Sequence, residues 1–345
     1  MAKAKKLPSG NWRVQVYSHT DADGKRHYES FTASTKKEAE LMAAEFGVNR
    51  KREKEAALSF GKAFDLYIEV KTNVLSPSTI REMKRVRKRY FKELENVQLK
   101  EISDAMIQRT INELSAGRSP KTVHNLYGYI AAVFSMFAPT RKITVTLPHK
   151  IKPDIIVPTD EEIKAILRAA EGKSIYLPIC LAAFGSLRRS EICALVMPDD
   201  LTEHGVVVRK SKVKSENGYV IKNTTKTIAS YREAVLPQFV TDQLKKISGP
   251  VVNSTPDYVY KNFVHILDKA GVRHMRFHDL RHYWTSSAIA EGMPDDYVMR
   301  NGGWSTMNVP RAVYTHILKN KNKDFTSALN RKFEGMQHEM QHDSN

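Results

Sequence analysis

The sequence predicts a multidomain α+β protein. It has a small N-terminal three-stranded sheet plus one helix, then a helical unit, then a mixed, mainly helical domain with a small antiparallel sheet. Three observations predict this. A length of 345 residues exceeds what one hydrophobic core usually serves and suggests two or three domains. Apolar residues recur with a period of two near residue 12, form short unbroken runs bounded by turn signals beyond residue 205, and take a helical period elsewhere. From Pro139 to Pro158 the helical period disappears and four prolines occur, which reads as an extended linker.

In the first segment Trp12, Val14 and Val16 fall on one strand face and Arg13, Gln15 and Tyr17 on the other. Asp23–Gly24 is a hairpin signal, and the return strand runs through Arg26, His27 and Tyr28 to Phe31. A helix starts near Thr35, with Glu38 placed for a capping box and Ala39, Met42, Ala43 and Phe46 as its stripe. Arg50–Lys51–Arg52–Glu53–Lys54–Glu55 reads as a charged connector. Trp12, Arg13, Tyr17 and Arg26 give the sheet a basic and aromatic character that suits either a nucleic-acid groove or a solvated surface.

Ser59 then opens a helix with Phe60, Ala63, Phe64, Tyr67 and Ile68 on one face. Ser78 to Leu94 is crowded with Arg81, Lys84, Arg85, Arg87, Lys88, Arg89 and Lys92, either a phosphate-tracking element or a solvated basic face. A third helix runs from Asp104 to Leu114 and stops at Gly117. Ser119 and Pro120 start a fourth, cored by Val123, Tyr127, Ile130, Phe134 and Phe137.

After the linker, Thr159 to Glu162 forms a capping box for a helix to Ala170. An apolar helix through Tyr176, Ile179 and Phe184 follows, then another through Arg188, Glu191 and Leu195. Val206–Val208, Tyr219–Ile221 after the Asn217–Gly218 turn, and a strand ending at Leu236 predict the small sheet. Thr255–Pro256 starts a helix closed by Gly271, Asp279 to Glu291 is the next, and a short one from Pro294 to Arg300 stops at Asn301–Gly302. The segment from Val309 to Lys319 carries Tyr314.

Lys and Arg number 55 against 38 Asp and Glu, a formal charge of +17, so the chain's field favours a polyanion, with nucleic acid ahead of an anionic membrane. The basic start Met1–Lys6 is followed by no apolar run. No segment reaches the ~20 apolar residues of a membrane span, which predicts a cytoplasmic chain with no membrane partner. Cys180 and Cys193 sit in apolar surroundings and read as core thiols, so neither a metal nor another cofactor is predicted.

Chemistry gathers at His278 and Arg281, which a helix from Asp279 would point the same way as an anion clamp. A phosphodiester reaction without metal would need fixed cations on the non-bridging oxygens, an in-line nucleophile and an acid for the leaving oxygen. The chain can supply Arg188, Arg281 and His278 as the clamp, Tyr314 as nucleophile and a lysine on the sheet as acid. Taken singly, each has a plainer reading: Arg281 on a solvated helix face, Arg188 as the surface partner of Glu191, Tyr314 and Trp304 as core aromatics. Tyr283 competes as nucleophile, but two positions beyond Arg281 it faces away from the clamp.

These residues resemble the tyrosine recombinases, or phage-type integrases. Four stretches carry the resemblance: Ser186–Leu187–Arg188–Arg189–Ser190–Glu191; Thr225–Lys226–Thr227 with Ser230–Tyr231–Arg232; His278–Asp279–Leu280–Arg281–His282; and Gly303–Trp304–Ser305 leading to Tyr314. The resemblance implies an arm-type DNA-binding domain (1–55), a helical SAM-like core-binding domain (56–140) and, after the linker (141–158), a catalytic domain (159–336); the last residues (337–345) read as a disordered tail. It implies that Tyr314 forms a 3′-phosphotyrosyl link, that Arg188 and Arg281 hold the phosphate, and that Lys226 is the general acid. His278 would assist proton transfer, Trp304 would donate its indole N–H and pack the site, and Glu191 would orient Arg188. Basic and aromatic contacts to DNA would come from Trp12, Arg13, Tyr17, Arg26, Arg81, Lys84, Arg85 and Lys88. Implied partners are core and arm attachment sites on double-stranded DNA, a homo-tetramer on that DNA, and an excisionase and a host DNA-bending protein as accessories. The apolar segment from Ile317 to Phe333 would dock on a neighbouring protomer or on its own domain. A catalytically silent DNA-binding regulator and a type IB topoisomerase are the alternatives. Three departures from the family pattern stand out: Trp304 where histidine is commoner, Ser186 where glycine usually precedes Leu-Arg, and Lys210, Lys212, Lys214 and Lys222 as rivals to Lys226.

Overall fold

The computed structural model describes residues 3–20, 25–56, 58–151, 155–223, 231–313 and 330–331, with the side chains of 20 and 49–56 outside that description. Lys226, Tyr314, the Asp23–Gly24 turn, the tail from 337 and nearly all of the 317–333 segment therefore lie outside the described residues. The chain forms two compact units, Met1–Lys152 and Pro153–Asn345.

In the first unit β1 (Lys5–Lys6), β2 (Trp12–Thr20) and β3 (Arg26–Ala33) form an antiparallel sheet in which Val14 faces Phe31 and Tyr17 faces Tyr28. The period of two sends Val14 inward, where it is fully buried with Ala39 and Ala43 of helix α1 (Lys36–Ala56). α1 absorbs the expected charged connector, because residues 50–55 contain neither glycine nor proline to stop it.

Helices α2 (Phe60–Lys71), α3 (Pro77–Arg89), α4 (Asp104–Ala116) and α5 (Pro120–Phe137) surround a core that includes Phe60, Phe64, Leu99, Ile107 and Ile130. Ser59, Ser103 and Ser119 cap three of them by accepting from the N–H of Lys62, Met106 and Thr122. α3 ends before the predicted Leu94 because Phe91 turns into this core at φ +64°. Arg87, expected among the phosphate-tracking cations, is structural: it bridges Asp65 and Glu95, each at 3.0 Å, and donates to the Gly61 carbonyl.

The expected linker is not free over its first half. Arg141 bonds Asp104 at 2.7 Å, Thr146 and Gln108 exchange two hydrogen bonds, and His124 meets the Pro148 carbonyl. Ile143, Val145 and Leu147 pack on the helical core. Alternate residues of an extended segment point to one side, so three apolar residues spaced by two can lie on a helical face without a helical period.

The second unit contains α6 (Asp160–Ala170), α7 (Tyr176–Gly185), α8 (Arg189–Ile192), β4 (Val196–Met197), β5 (Gly205–Val208), β6 (Lys210–Ser215), β7 (Gly218–Asn223) and β8 (Arg232–Val235). α9 (Gln238–Leu244), β9 (Gly249–Pro250), α10 (Pro256–Ala270), α11 (Asp279–Ala290) and α12 (Asp295–Gly302) follow. The strands pair antiparallel as β4 with β9, β5 with β8 and β6 with β7. The Thr159–Glu162 capping box is formed in both directions, and Thr255 and Gly271 cap α10 as expected. α7 is apolar on all sides and is buried among α6, α8, α9 and α11. The helix expected from Arg188 to Leu195 shrinks to the single turn of α8, with Arg188 extended just before it. Among the described residues no helix is long and apolar enough to cross a membrane, and no group of three or more His, Cys, Asp or Glu residues could hold a metal ion.

Candidate active site

Ser186 ends α7 in the left-handed conformation (φ 55°, ψ 28°), the turn that glycine usually makes. Its carbonyl accepts from Arg281 Nη1 and, at 3.4 Å, from Arg232 Nη2. Its hydroxyl is buried without a partner among the described residues. Ser186→Gly is therefore expected to raise stability by about 1 kcal/mol, since it relieves a left-handed non-glycine residue and removes an unsatisfied hydroxyl. A rightward shift of the urea midpoint at constant slope would show it; a leftward shift would mean that the hydroxyl has a partner.

Arg188 stands two residues on, with its N–H on Glu191 Oε2 at 2.9 Å, Nη1 on Glu191 Oε1 at 2.6 Å and Nη2 on the Gly303 carbonyl at 2.9 Å. Glu191 is buried and shared, because Arg232 Nη2 reaches Oε2 at 2.8 Å. Burial alone would push this carboxyl up, but Arg232 and Arg188 outweigh it and hold it at about 2. Glu191 thus stays ionised at neutral pH, and its contribution to stability is lost only as pH falls from its ordinary 4.5 through 2.

Arg232 also donates from Nε to the Asn301 carbonyl at 2.9 Å, which fixes the end of α12. Two glycines follow. A Cβ at Gly302 would lie 1.6 Å from Trp304 Cζ3, and Gly303 (φ +65°) lets the chain pass over Arg232. Trp304 then lies face-on to Arg281, with the guanidinium carbon 3.8 Å from the ring centroid.

Arg281 is 1% exposed, and its Nε and Nη2 have no partner among the described residues. Burial, then Arg188 and Arg232, push it down to about 8. It remains a cation at pH 7 with no counter-anion of its own among the described residues. His278 stands at the start of α11, its ring 5.1 Å from that of His282. It keeps an open edge to solvent, yet the surrounding protein first, and then His282, Arg281 and Arg188, hold it down to about 4. Asp279, fully buried, accepts from the Arg276 N–H and Nη2, both at 2.7 Å, and closes the turn that presents His278. Among the described residues, three guanidiniums and one carboxylate thus converge beside a neutral imidazole. That surplus of positive charge, with free N–H groups, is a site for a dianion or a diester.

Of the candidate site residues, the structure brings Arg188, Glu191, His278, Arg281 and Trp304 together. Lys226 and Tyr314 fall outside the described residues, in the β7–β8 connection and just after the fully buried Val313. Two of the rival lysines are engaged elsewhere, Lys212 on the Ser254 carbonyl at 2.7 Å and Lys214 on Asp257 at 3.0 Å. Tyr283 donates to Asp160 at 2.9 Å, away from the cluster. Arg232 is the residue that motif reading passed over without a role. It occupies a buried position in strand phase with the core residue Ala234, and an arginine at such a position is itself a signal.

The expected DNA contacts divide. Arg13 and Tyr17 lie on the exposed face of β2, Tyr17 edge-on to Tyr28, and Arg26 is exposed at the start of β3. Trp12 instead packs towards the Val14 cluster with Lys36 over its ring, because it shares Val14's strand phase. On α3, Lys88 is exposed, Arg81 and Lys84 are half-buried, and Arg85 pairs with Glu82 at 2.9 Å.

Residues 157–321 match the phage integrase family, and residues 59–115 match the phage integrase N-terminal SAM-like domain. A tyrosine recombinase XerC-like protein of Caldanaerobacter subterraneus subsp. tengcongensis is 25% identical over 92% of this chain and 95% of its own length. The Tn1549 transposon integrase in complex with transposon right end DNA covers 79% of this chain and 100% of its own, with TM-score 0.65 and 16% identity. A lambda integrase tetramer bound to a Holliday junction covers 90% of this chain and 94% of its own, with TM-score 0.53 and 12% identity. The fold is that of the tyrosine-type site-specific recombinases. The chain belongs to the phage integrase family.

Proposed function

We propose that this recombinase integrates a phage genome or other mobile element by cutting and rejoining DNA through a 3′-phosphotyrosyl intermediate. The observation that carries the reading is the buried Arg281 guanidinium, stacked on Trp304 and adjoining Arg188, with two N–H-bearing nitrogens free among the described residues. Arg188 and Arg281 grip the non-bridging oxygens of the scissile phosphate and neutralise the charge that builds there. The Tyr314 oxygen attacks phosphorus as its proton is drawn off, with His278, neutral at pH 7, as acceptor. The P–O bond to the 5′ side breaks, and Lys226 gives its proton to the departing 5′-oxygen. Reversal by another 5′-hydroxyl reseals the strand, so one diester is exchanged for another and neither ATP nor metal enters. Trp304 excludes water over Arg281, and Glu191 holds Arg188 in place.

Exchange between two attachment sites needs one such centre per strand. A homo-tetramer on DNA supplies that number, as in the lambda integrase assembly on a Holliday junction. The open face of the N-terminal sheet, with Arg13, Tyr17 and Arg26, engages arm sites, and Arg81, Lys84, Arg85 and Lys88 of α3 track core-site phosphates. An excisionase and a host DNA-bending protein complete the partner set.

The test is relaxation of supercoiled plasmid in EDTA with an SDS quench. Relaxed topoisomers and a protein–DNA adduct that resists SDS are the expected results. Tight binding with no adduct, even on DNA carrying the element's own ends, would leave a silent regulator as the reading.

A further inference from the structure

Four pieces of the second unit meet at one buried side chain. Arg232 lies at the start of β8, directly after the stretch that carries Lys226. Its Nη2 binds Glu191 at 2.8 Å, Glu191 binds the Arg188 backbone and guanidinium, and both Arg232 and Arg281 donate to the Ser186 carbonyl. Its Nε holds the Asn301 carbonyl at 2.9 Å, and Gly303 passes over it. Gly303 in turn accepts from Arg188 and precedes Trp304.

The side chain is 1% exposed and its nitrogens are taken up by protein acceptors on α8, the Ser186 turn and the end of α12. A guanidinium so enclosed reaches no substrate. What it can do is set the distance between the elements that bear Arg188, Arg281 and Trp304.

We propose that Arg232 is a positioning residue for strand cleavage: through Glu191 it fixes the Arg188 guanidinium, and through Asn301 it fixes the turn that lays Trp304 on Arg281. This deepens the strand-transfer reading and rests on it. The geometry demands arginine. Glu191, Ser186 and Asn301 approach different edges of one plane, and the fork of a guanidinium bonds all three where an ammonium would satisfy one or two. Lysine would keep the charge and lose the registration.

The experiment uses the full chain and a nicked suicide substrate that traps the covalent adduct, with DNA affinity, thermal midpoint and single-turnover cleavage measured together. Arg232→Lys is expected to bind DNA within about threefold of wild type but to cleave about 100-fold more slowly, the loss that misplacement by about 1 Å produces. Glu191→Gln, which acts through the same guanidinium, should add little to Arg232→Lys, whereas independent roles would multiply. Cleavage by Arg232→Lys that falls only with its folded fraction, or effects that multiply in the double variant, would overturn the proposal.

Should Arg232→Lys fail to fold, Gly303→Ala takes its place, since its methyl would come 2.9 Å from Arg232 Nη1 and push the guanidinium aside. Wild-type cleavage by folded Gly303→Ala would likewise overturn the proposal; slow cleavage that Glu191→Gln does not worsen supports it. Absence of adduct with the wild-type chain would instead refute the strand-transfer reading itself.

Discussion

Tyr314→Phe is expected to relax no supercoiled plasmid and to leave no SDS-resistant adduct, while its affinity for DNA stays within about twofold of wild type. The substitution removes one oxygen and leaves the ring, so packing is kept and only the nucleophile is lost. No second tyrosine stands ready among the described residues of the cluster. Tyr283, two positions beyond Arg281, donates to Asp160 at 2.9 Å. Burial and that carboxylate push its phenol above the ordinary value, which is opposite to what a nucleophile needs. Tyr283→Phe should therefore cleave like wild type and lose only about 1 kcal/mol of stability with its hydrogen bond. An adduct that survives in Tyr314→Phe and disappears in Tyr283→Phe would reverse the assignment.

The parts legible in the sequence were those whose cause is local. Ser59, Ser119, Thr159 and Thr255 cap the helices they were read to cap, because a cap depends on a hydroxyl and the next three residues. His278 and Arg281 share one helix end for the same reason. What escaped depends on partners far along the chain. Arg87 looked like one more cation of a basic helix until Asp65 and Glu95 stood beside it. The 141–148 stretch looked like a linker because its acceptors, Asp104 and Gln108, lie on another helix. Arg188 was expected inside a helix and stands before it, since the left-handed Ser186 reverses the chain two residues earlier. Arg232 sat inside a quoted motif without a role. Its meaning appears only when Glu191, Asn301 and Ser186, spread over more than a hundred residues, close around it.

Arg281→Met is expected to slow strand cleavage by at least about 10³-fold and, without DNA, to make the protein more stable by about 1 kcal/mol. The two effects have one cause. Arg281 is a buried cation with Arg188 and Arg232 for neighbours and, among the described residues, only Glu191, already shared between those two, to offset them. Replacing a poorly compensated buried charge by an apolar chain of similar length removes repulsion and desolvation. The Ser186 carbonyl loses one donor and keeps Arg232. A scissile phosphate supplies the missing negative charge, so the strain in the free site becomes binding energy where charge develops on the phosphoryl oxygens. The sign can be checked against pH. With Arg281 pushed down to about 8 from an ordinary 12.5, the unfolded chain holds its proton more tightly than the folded one above pH 8. Wild-type stability should therefore rise relative to Arg281→Met as pH goes from 7 to 10, measured as the difference in urea midpoints. A wild type that is the more stable of the two at pH 7, with a gap that does not change with pH, would mean that another group already neutralises Arg281 in the free protein. The phosphate would then displace that group rather than complete the site.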